Sequence, residues 1–250
     1  MSNNLLEIKN LSKTYHTENS EIFALKDITI SVKEKEFISI VGPSGCGKST
    51  ILTILANILE KSSGEIKFNI DNPKIGYMLQ EDALFPWRTV LENACLGLEI
   101  KNTLTKENKQ NVINLLNKYG LGEFINSYPN SLSGGLKQRV ALIRTLALNP
   151  DILLLDEPFS ALDYQTRLAL SDDLKEIIKN EGKTVIMVTH DIAEAISMSD
   201  KVIIISNRPS NVKNIIDINL EKNGTPTENR KDKKFSVYYD MIWKELDIHV

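Results

Sequence analysis

The chain has 250 residues, 42% of them hydrophobic and 25% charged, enough for one large globular core without disulfide or metal staples. Its formal net charge of -3 argues against a protein whose main business is gripping nucleic acid, and two cysteines, Cys46 and Cys95, make no disulfide framework, as in a reducing compartment. The opening MSNNLLEIKN has no basic stretch followed by an apolar one, so no signal peptide is expected, and no apolar run approaches the roughly 18 residues of a membrane span.

The first segments, LLEIKNLSKTY, ALKDITISV and FISIVG, predict strands. The third is apolar without alternation, as expected of a strand buried on both faces. A glycine-rich loop and a helix-patterned ILTILANIL follow it. From Gln80 to Asn149 the strand signals fade, and TKENKQNVINLLNKYGL and LKQRVALIRTLAL predict an inserted helical subdomain. Strand–helix alternation resumes with DILLLDE, a helix near Tyr164–Asn180, KTVIMVTH and KVIIIS, which predicts a parallel sheet flanked by helices. Past Arg208, EKNGTPTENRKDKK reads as a flexible connector. A terminal helix then puts Phe235, Tyr238, Tyr239, Ile242 and Leu246 near one face, docked on its own core or offered to a partner.

The chemistry starts at Gly42. GPSGCGKS matches G-x-x-x-x-G-K-[ST] from Gly42 to Ser49 and lies between a predicted strand and helix. Its residues are Gly42, Pro43, Ser44, Gly45, Cys46, Gly47, Lys48 and Ser49, with Thr50 beside them. The glycines let backbone N–H groups wrap a phosphate, Lys48 is expected to reach the β and γ phosphates, and the Ser49 hydroxyl is suited to Mg²⁺. Cys46, inside this loop, is either an activated thiol or a small side chain that fits.

A second site is acidic. ILLLDEP ends an apolar strand on Asp156 and Glu157, at the strand edge where open α/β sheets place ligands. Asp156 is suited to hold Mg²⁺ through water and Glu157 to polarise an attacking water. Gln80 is a candidate to orient water or touch Mg²⁺, His190 to contact a γ-phosphate, and Tyr15 to stack on adenine; outside this frame each is an ordinary structural residue. LSGGLKQRV offers a further anion-facing helix start at Ser133, Gly134 and Gly135.

Together these motifs resemble the ATP-binding cassette of ABC transporters over residues 5–210, seven of them in the family's order. Tyr15 falls where that family stacks adenine, GPSGCGKST on its phosphate loop, Gln80 on its glutamine switch and LSGGLKQ on its signature. ILLLDE falls on its metal-and-base strand, SALD with Asp163 on the loop that crosses the dimer, and His190 on its switch histidine. The resemblance implies an α/β fold: a P-loop NTPase (RecA-like) core with N-terminal antiparallel β strands, a helical subdomain inserted at about 81–149, and a C-terminal tail over 211–250. It implies ATP and Mg²⁺, the metal held by Ser49, Gln80 and Asp156. It also implies a homodimer with each ATP between one chain's phosphate loop and the other's Ser133, Gly134 and Gly135. Leu136 stands where the commonest signature has Gln, which removes a side-chain hydrogen bond there.

LFPWRTVLENACLGLE, YPNSLSGGLKQRVALIRTLA and IISNRPSNV are similar to the ATPase subunits of nitrate, sulfonate and taurine importers. This implies import of a small anionic solute through separate membrane permease subunits, indirectly served by a solute-binding protein. The chain is then peripheral to the cytoplasmic face of the cell membrane and binds no nucleic acid. Leu84, Phe85, Pro86 and Trp87 either receive the permease or fill the helical subdomain's core. The alternative function is a soluble ABC ATPase with an assembly or regulatory role.

Overall fold

The computed structural model describes residues 4–16, 20–220 and 224–246. Its strands are β1 (Asn4–His16), β2 (Glu21–Lys33), β3 (Phe37–Val41), β4 (Ser63–Phe68), β5 (Ile75–Met78), β6 (Ile152–Asp156), β7 (Thr184–Thr189), β8 (Lys201–Ile205) and β9 (Val212–Asp217). Its α-helices are α1 (Lys48–Leu55), α2 (Val90–Ile100), α3 (Lys106–Lys118), α4 (Gly134–Leu146), α5 (Tyr164–Glu181), α6 (Ile192–Met198), α7 (Pro226–Asn229) and α8 (Phe235–Glu245). One sheet has the order β2-β1-β4, all antiparallel; the other runs β5-β6-β7-β3-β8-β9. Strands β5, β6, β7, β3 and β8 are parallel, and β9 closes the edge antiparallel to β8.

The non-alternating apolar strands are explained by two cores, one on each face of the large sheet. Phe37, Leu153, Leu155, Val185 and Met187 point into a core shared with α2, α4 and α5. Ile38, Ile40, Ile152, Leu154, Ile186 and Val188 point into one shared with α1 and the antiparallel sheet. The period of two survives, but both phases meet apolar partners.

Local signals set the helix ends. Thr89 and Glu92 form a reciprocal capping box at the start of α2. Asp163 accepts from the N–H groups of Gln165 and Thr166 at the start of α5, and Gly182 (φ 60°) ends that helix in the left-handed region. Helix α1 differs: its N-cap is Gly47 at φ 113°, with no side-chain cap. Its first amides are therefore left for another acceptor.

The tail is more structured than a connector. Strand β9 lies within IISNRPSNVKNIID and was not anticipated. Neither was α7, where Thr225 and Glu228 form a second capping box ahead of Pro226. Asn229 is buried and donates to the Ser197 carbonyl at 2.7 Å, and Asp172 accepts from the Thr227 N–H at 2.8 Å. The segment is thereby pinned to α5 and α6; residues 221–223 of the expected connector lie outside the described residues. Helix α8 docks on its own chain: Ile242 is fully buried, with Phe235, Tyr238, Tyr239, Trp243 and Leu246 packed around it.

Between β5 and β6 the helices α2, α3 and α4 surround Val90, Ala94, Leu98, Val112, Leu116 and Val140. Leu84 joins this core, but Trp87 is 70% exposed and stacks on half-buried Phe85 at 5.1 Å. Buried Asn93 holds the stretch in shape. Its amide donates to the carbonyls of Phe85, Arg88 and Thr89, and its carbonyl accepts from the Phe85 N–H at 2.8 Å. Asn93→Ala leaves buried backbone groups unpaired, so unfolding in urea is expected to show a loss of about 1–3 kcal/mol, with altered Trp87 fluorescence in the folded protein.

Candidate nucleotide site

Parallel strands in the order β5-β6-β7-β3 end at one edge. Met78 pairs with Leu155, Asp156 with Val188, and Val41 with Thr189. The residues that follow these ends are Gln80, Glu157, His190 and the Gly42–Ser49 loop, so separated stretches of sequence converge on one edge.

In the loop, Gly45 (φ 71°) and Gly47 (φ 113°) adopt the left-handed region that L side chains avoid. Gly42 packs so closely on Ile205 that a Cβ would lie 2.7 Å from its side chain. Lys48 is buried and donates to the carbonyls of Gly42 (2.9 Å) and Pro43 (3.0 Å), which turns its ammonium back into the loop. The Cys46 thiol is buried in the core beneath, and burial pushes its pKa up, the opposite of an activated thiolate. Cys95 is also buried and free. The buried Ser210 hydroxyl donates to the Cys46 carbonyl, and the Ser210 N–H to the Ala24 carbonyl at 3.0 Å. The turn after β8 thus ties the loop to β2.

Asp156 accepts from Ser49 Oγ at 2.9 Å through Oδ1 and from Tyr77 Oη at 2.9 Å through Oδ2. Burial raises its pKa against those two hydrogen bonds. Burial beside Asp156 also raises that of the Tyr77 phenol, which stays a donor. Glu157 sits at φ 44°, a conformation costing a non-glycine residue about 1–3 kcal/mol. Its N–H is anchored on the Val188 carbonyl at 3.0 Å. The strained backbone turns the carboxylate to His190, whose Nδ1 is 3.0 Å from Glu157 Oε2. Gln80 Nε2 donates to Ser160 Oγ at 3.2 Å. Tyr15, at the edge of β1, meets Thr50 Oγ1 through its hydroxyl at 3.3 Å, with Lys13 Nζ 5.2 Å from its ring centre.

Ser133–Gly135 stand apart from this group. Ser133 caps α4, accepting from the Leu136 N–H at 3.4 Å. A Cβ on Gly134 or Gly135 would lie 3.1 Å from the side chains of Leu162 and Thr166, so both glycines also permit close packing against the start of α5. Among the described residues no hydrogen bond links Ser133–Gly135 to the phosphate loop. Asp163 has an intrachain task, capping α5, and its hydrogen bonds with Thr166 lower its pKa.

Two contributors escaped the sequence reading, Tyr77 and Arg144, and Ser160, the first residue of SALD, has a contact with Gln80 that the sequence reading did not give it. Tyr77 carries no signal of its own; a contact across strands gives it meaning. Arg144 carried one, a charge inside the apolar run of α4. Its guanidinium donates to the carbonyls of Asp82 and Ala83, both at 2.7 Å, clamping the loop after Gln80 to the helix that begins at Ser133.

A strand–loop–helix phosphate cradle beside an acidic strand end defines a P-loop nucleotide hydrolase. The ABC transporter family model matches residues 25–160, and the chain belongs to the family of ABC transporter ATP-binding proteins, which are ATPases. It is 44% identical to YtlC of Bacillus subtilis, an uncharacterised ABC transporter ATP-binding protein, over 97% of this chain and 95% of that one. It is 36% identical to the nitrate import ATP-binding protein NrtD of Synechocystis sp., over 95% and 93%. It is 41% identical to the spermidine/putrescine import ATP-binding protein PotA of Mycoplasma capricolum, over 82% and 60%. Among solved structures, the dimeric cassette MJ0796 bound to ADP and Pi matches with a TM-score of 0.72 and 36% identity, over 86% of this chain and 99% of that one.

Beyond His190 the chain places a charge cluster around buried Glu194. Arg167 of α5 reaches Asp191 Oδ2 at 3.2 Å and Glu194 Oε1 at 3.6 Å, and Thr189 Oγ1 donates to Glu194 Oε2 at 2.7 Å. Burial, helped by Asp191, pushes Glu194 up to about 7 from 4.5. The folded state therefore keeps a proton that the unfolded chain releases near 4.5. This contribution is complete below that pH and is lost as the pH rises through about 7. Relative to Glu194→Gln, the wild-type protein is expected to lose about 3 kcal/mol of stability between pH 4.5 and 7.5, read from urea unfolding across that range.

Proposed function

We propose that this chain is the ATP-hydrolysing subunit of an importer, working as a homodimer at the cytoplasmic face of a membrane with separate permease subunits. The observation that carries this reading is the pairing of Glu157 with His190 beside Asp156, Ser49 and Lys48, while Ser133–Gly135 make no hydrogen bond to their own phosphate loop. One chain supplies the adenine platform Tyr15, the phosphate cradle Gly42–Thr50 and the acid–base pair. A second copy supplies Ser133 and the free N–H groups of Gly134 and Gly135 at the positive end of α4. Asp163 lies in the loop that meets the partner copy.

Ser49 and Asp156 offer hard oxygen donors, and with the Gln80 side-chain carbonyl they would hold Mg²⁺. When bound, that ion neutralises charge on the transferred phosphoryl group. Glu157, aimed by its strained backbone and by His190, takes the proton of the attacking water. His190 holds Glu157 and is the residue we assign to the γ-phosphate. Gln80, on the loop clamped by Arg144, carries the change at the site toward Phe85 and Trp87.

ATP can meet both halves only when two chains close, so it favours the closed dimer by its differential affinity alone. Glu157→Gln is expected to bind ATP, to turn it over at least a hundredfold more slowly, and to accumulate as an ATP-dependent dimer by size-exclusion chromatography. A variant that stays monomeric with ATP, even beside its permease, would overturn the scheme.

Exposed Trp87 on its Asn93-braced loop supports a permease contact here. Leu84, by contrast, belongs to the subdomain core. Trp87→Ala is expected to lower reconstituted transport severalfold with basal ATPase nearly unchanged. Equal losses of both would assign the residue to stability instead. The solute we propose is a small anion of the nitrate, sulfonate or taurine kind, selected by a solute-binding protein and the permease. Support comes from the end-to-end likeness to NrtD, where the polyamine importer subunit PotA aligns over a smaller part of its own length.

A further inference from the structure

A carboxylate sits on a torsion with no sharp preferred setting, so an aspartate that must present one oxygen to a cation needs a second group to fix its plane. Asp156 has two donors in this structure, Ser49 Oγ on Oδ1 and Tyr77 Oη on Oδ2, each at 2.9 Å. Their duties differ. The Ser49 hydroxyl is shared: in the function proposed above its lone pair would face the metal while its proton stays on Asp156 Oδ1. The Tyr77 hydroxyl has no such second duty. It belongs to β5, directly paired with β6 through Tyr77 and Leu154, and its half-buried ring packs against the core beneath the sheet.

We propose that Tyr77 is a positioning residue for the metal site: its hydroxyl holds Asp156 Oδ2 so that Oδ1 stays aimed at the cation bound by Ser49. The inference rests on Ser49 and Asp156 being the metal-holding pair. The same hydrogen bond links the metal site to the strand that leads to Gln80, since Tyr77 lies on the four-residue strand β5, three residues before Gln80. A change in the Asp156 carboxylate therefore reaches the base of the Gln80 loop without passing through nucleotide.

Tyr77→Phe removes the hydroxyl and keeps the ring, so the packing of β5 stays in place. Asp156→Asn serves as the parallel variant. Three quantities are measured on the full chain: Mn²⁺ binding by EPR titration of protein saturated with a non-hydrolysable ATP analogue, affinity for that analogue in EDTA, and melting temperature. Tyr77→Phe is expected to weaken Mn²⁺ binding about tenfold, the usual effect of losing an outer partner of a metal ligand, with analogue affinity in EDTA within twofold of wild type. Mn²⁺ affinity within twofold of wild type, alongside a large loss in Asp156→Asn, would overturn the positioning role and leave the metal assignment standing. Unchanged Mn²⁺ affinity in both variants would overturn the metal assignment and this inference with it. A loss of analogue affinity as large in EDTA as with metal would assign Tyr77 to packing alone.

Discussion

Parallel pairing of β5, β6, β7 and β3 is the constraint on which the site depends. Strands that run the same way end on the same side, and their register puts Met78, Asp156, Thr189 and Val41 at one edge. The four following segments share one small region although they are spread over about 150 residues of chain. Such a sheet must be covered on both faces. The antiparallel sheet with α1 covers one face, and α4 and α5 with the helical subdomain cover the other. The phosphate loop rests on the first core through Cys46, and the helix starting at Ser133 on the second through Val140 and Ile143.

Rigid anchoring and local strain divide the work at this edge. Ser49 donates to Asp156, Lys48 donates to the carbonyls of Gly42 and Pro43 in its own loop, and Ser210 ties that loop to the turn after β8. Glu157, in contrast, is held in an unfavourable backbone conformation by its neighbours and aimed at His190. Such strain persists where surrounding structure over-determines it, and it clusters at sites of chemistry.

The path away from the site is as specific as the site. Arg144 grips the carbonyls of Asp82 and Ala83, which ties the loop after Gln80 to α4. Asn93 then braces Phe85–Thr89, which leaves Trp87 outside the core on a fixed base. On the other side of the fold, Arg167, Asp191 and Glu194 join α5 to the segment after His190, and α7 packs on both α5 and α6. The tail is thereby part of the cassette's framework.

Much of this was legible along the chain, because its signals are local. GPSGCGKS needs only its own glycines, lysine and serine to announce a phosphate turn, and ILLLDE needs only an apolar run ending in acids. The strands β1, β2, β3, β6, β7 and β8 and the helices α4, α5 and α8 follow from period and composition. Short β4 and β5 went unseen, as did β9 with its exposed Ile215, because their apolar residues are few and partners in space stabilise them. The capping box that starts α7 was hidden in a polar stretch. By itself, then, the sequence determined the class of chemistry and named the candidate residues for it. Tertiary structure alone decided which atoms meet: Tyr77 on Asp156, His190 on Glu157, Arg144 on the loop after Gln80, and Ser133–Gly135 away from their own phosphate loop. Those pairings depend on strand order and helix packing, and no spacing along one chain encodes a contact that only the folded sheet creates.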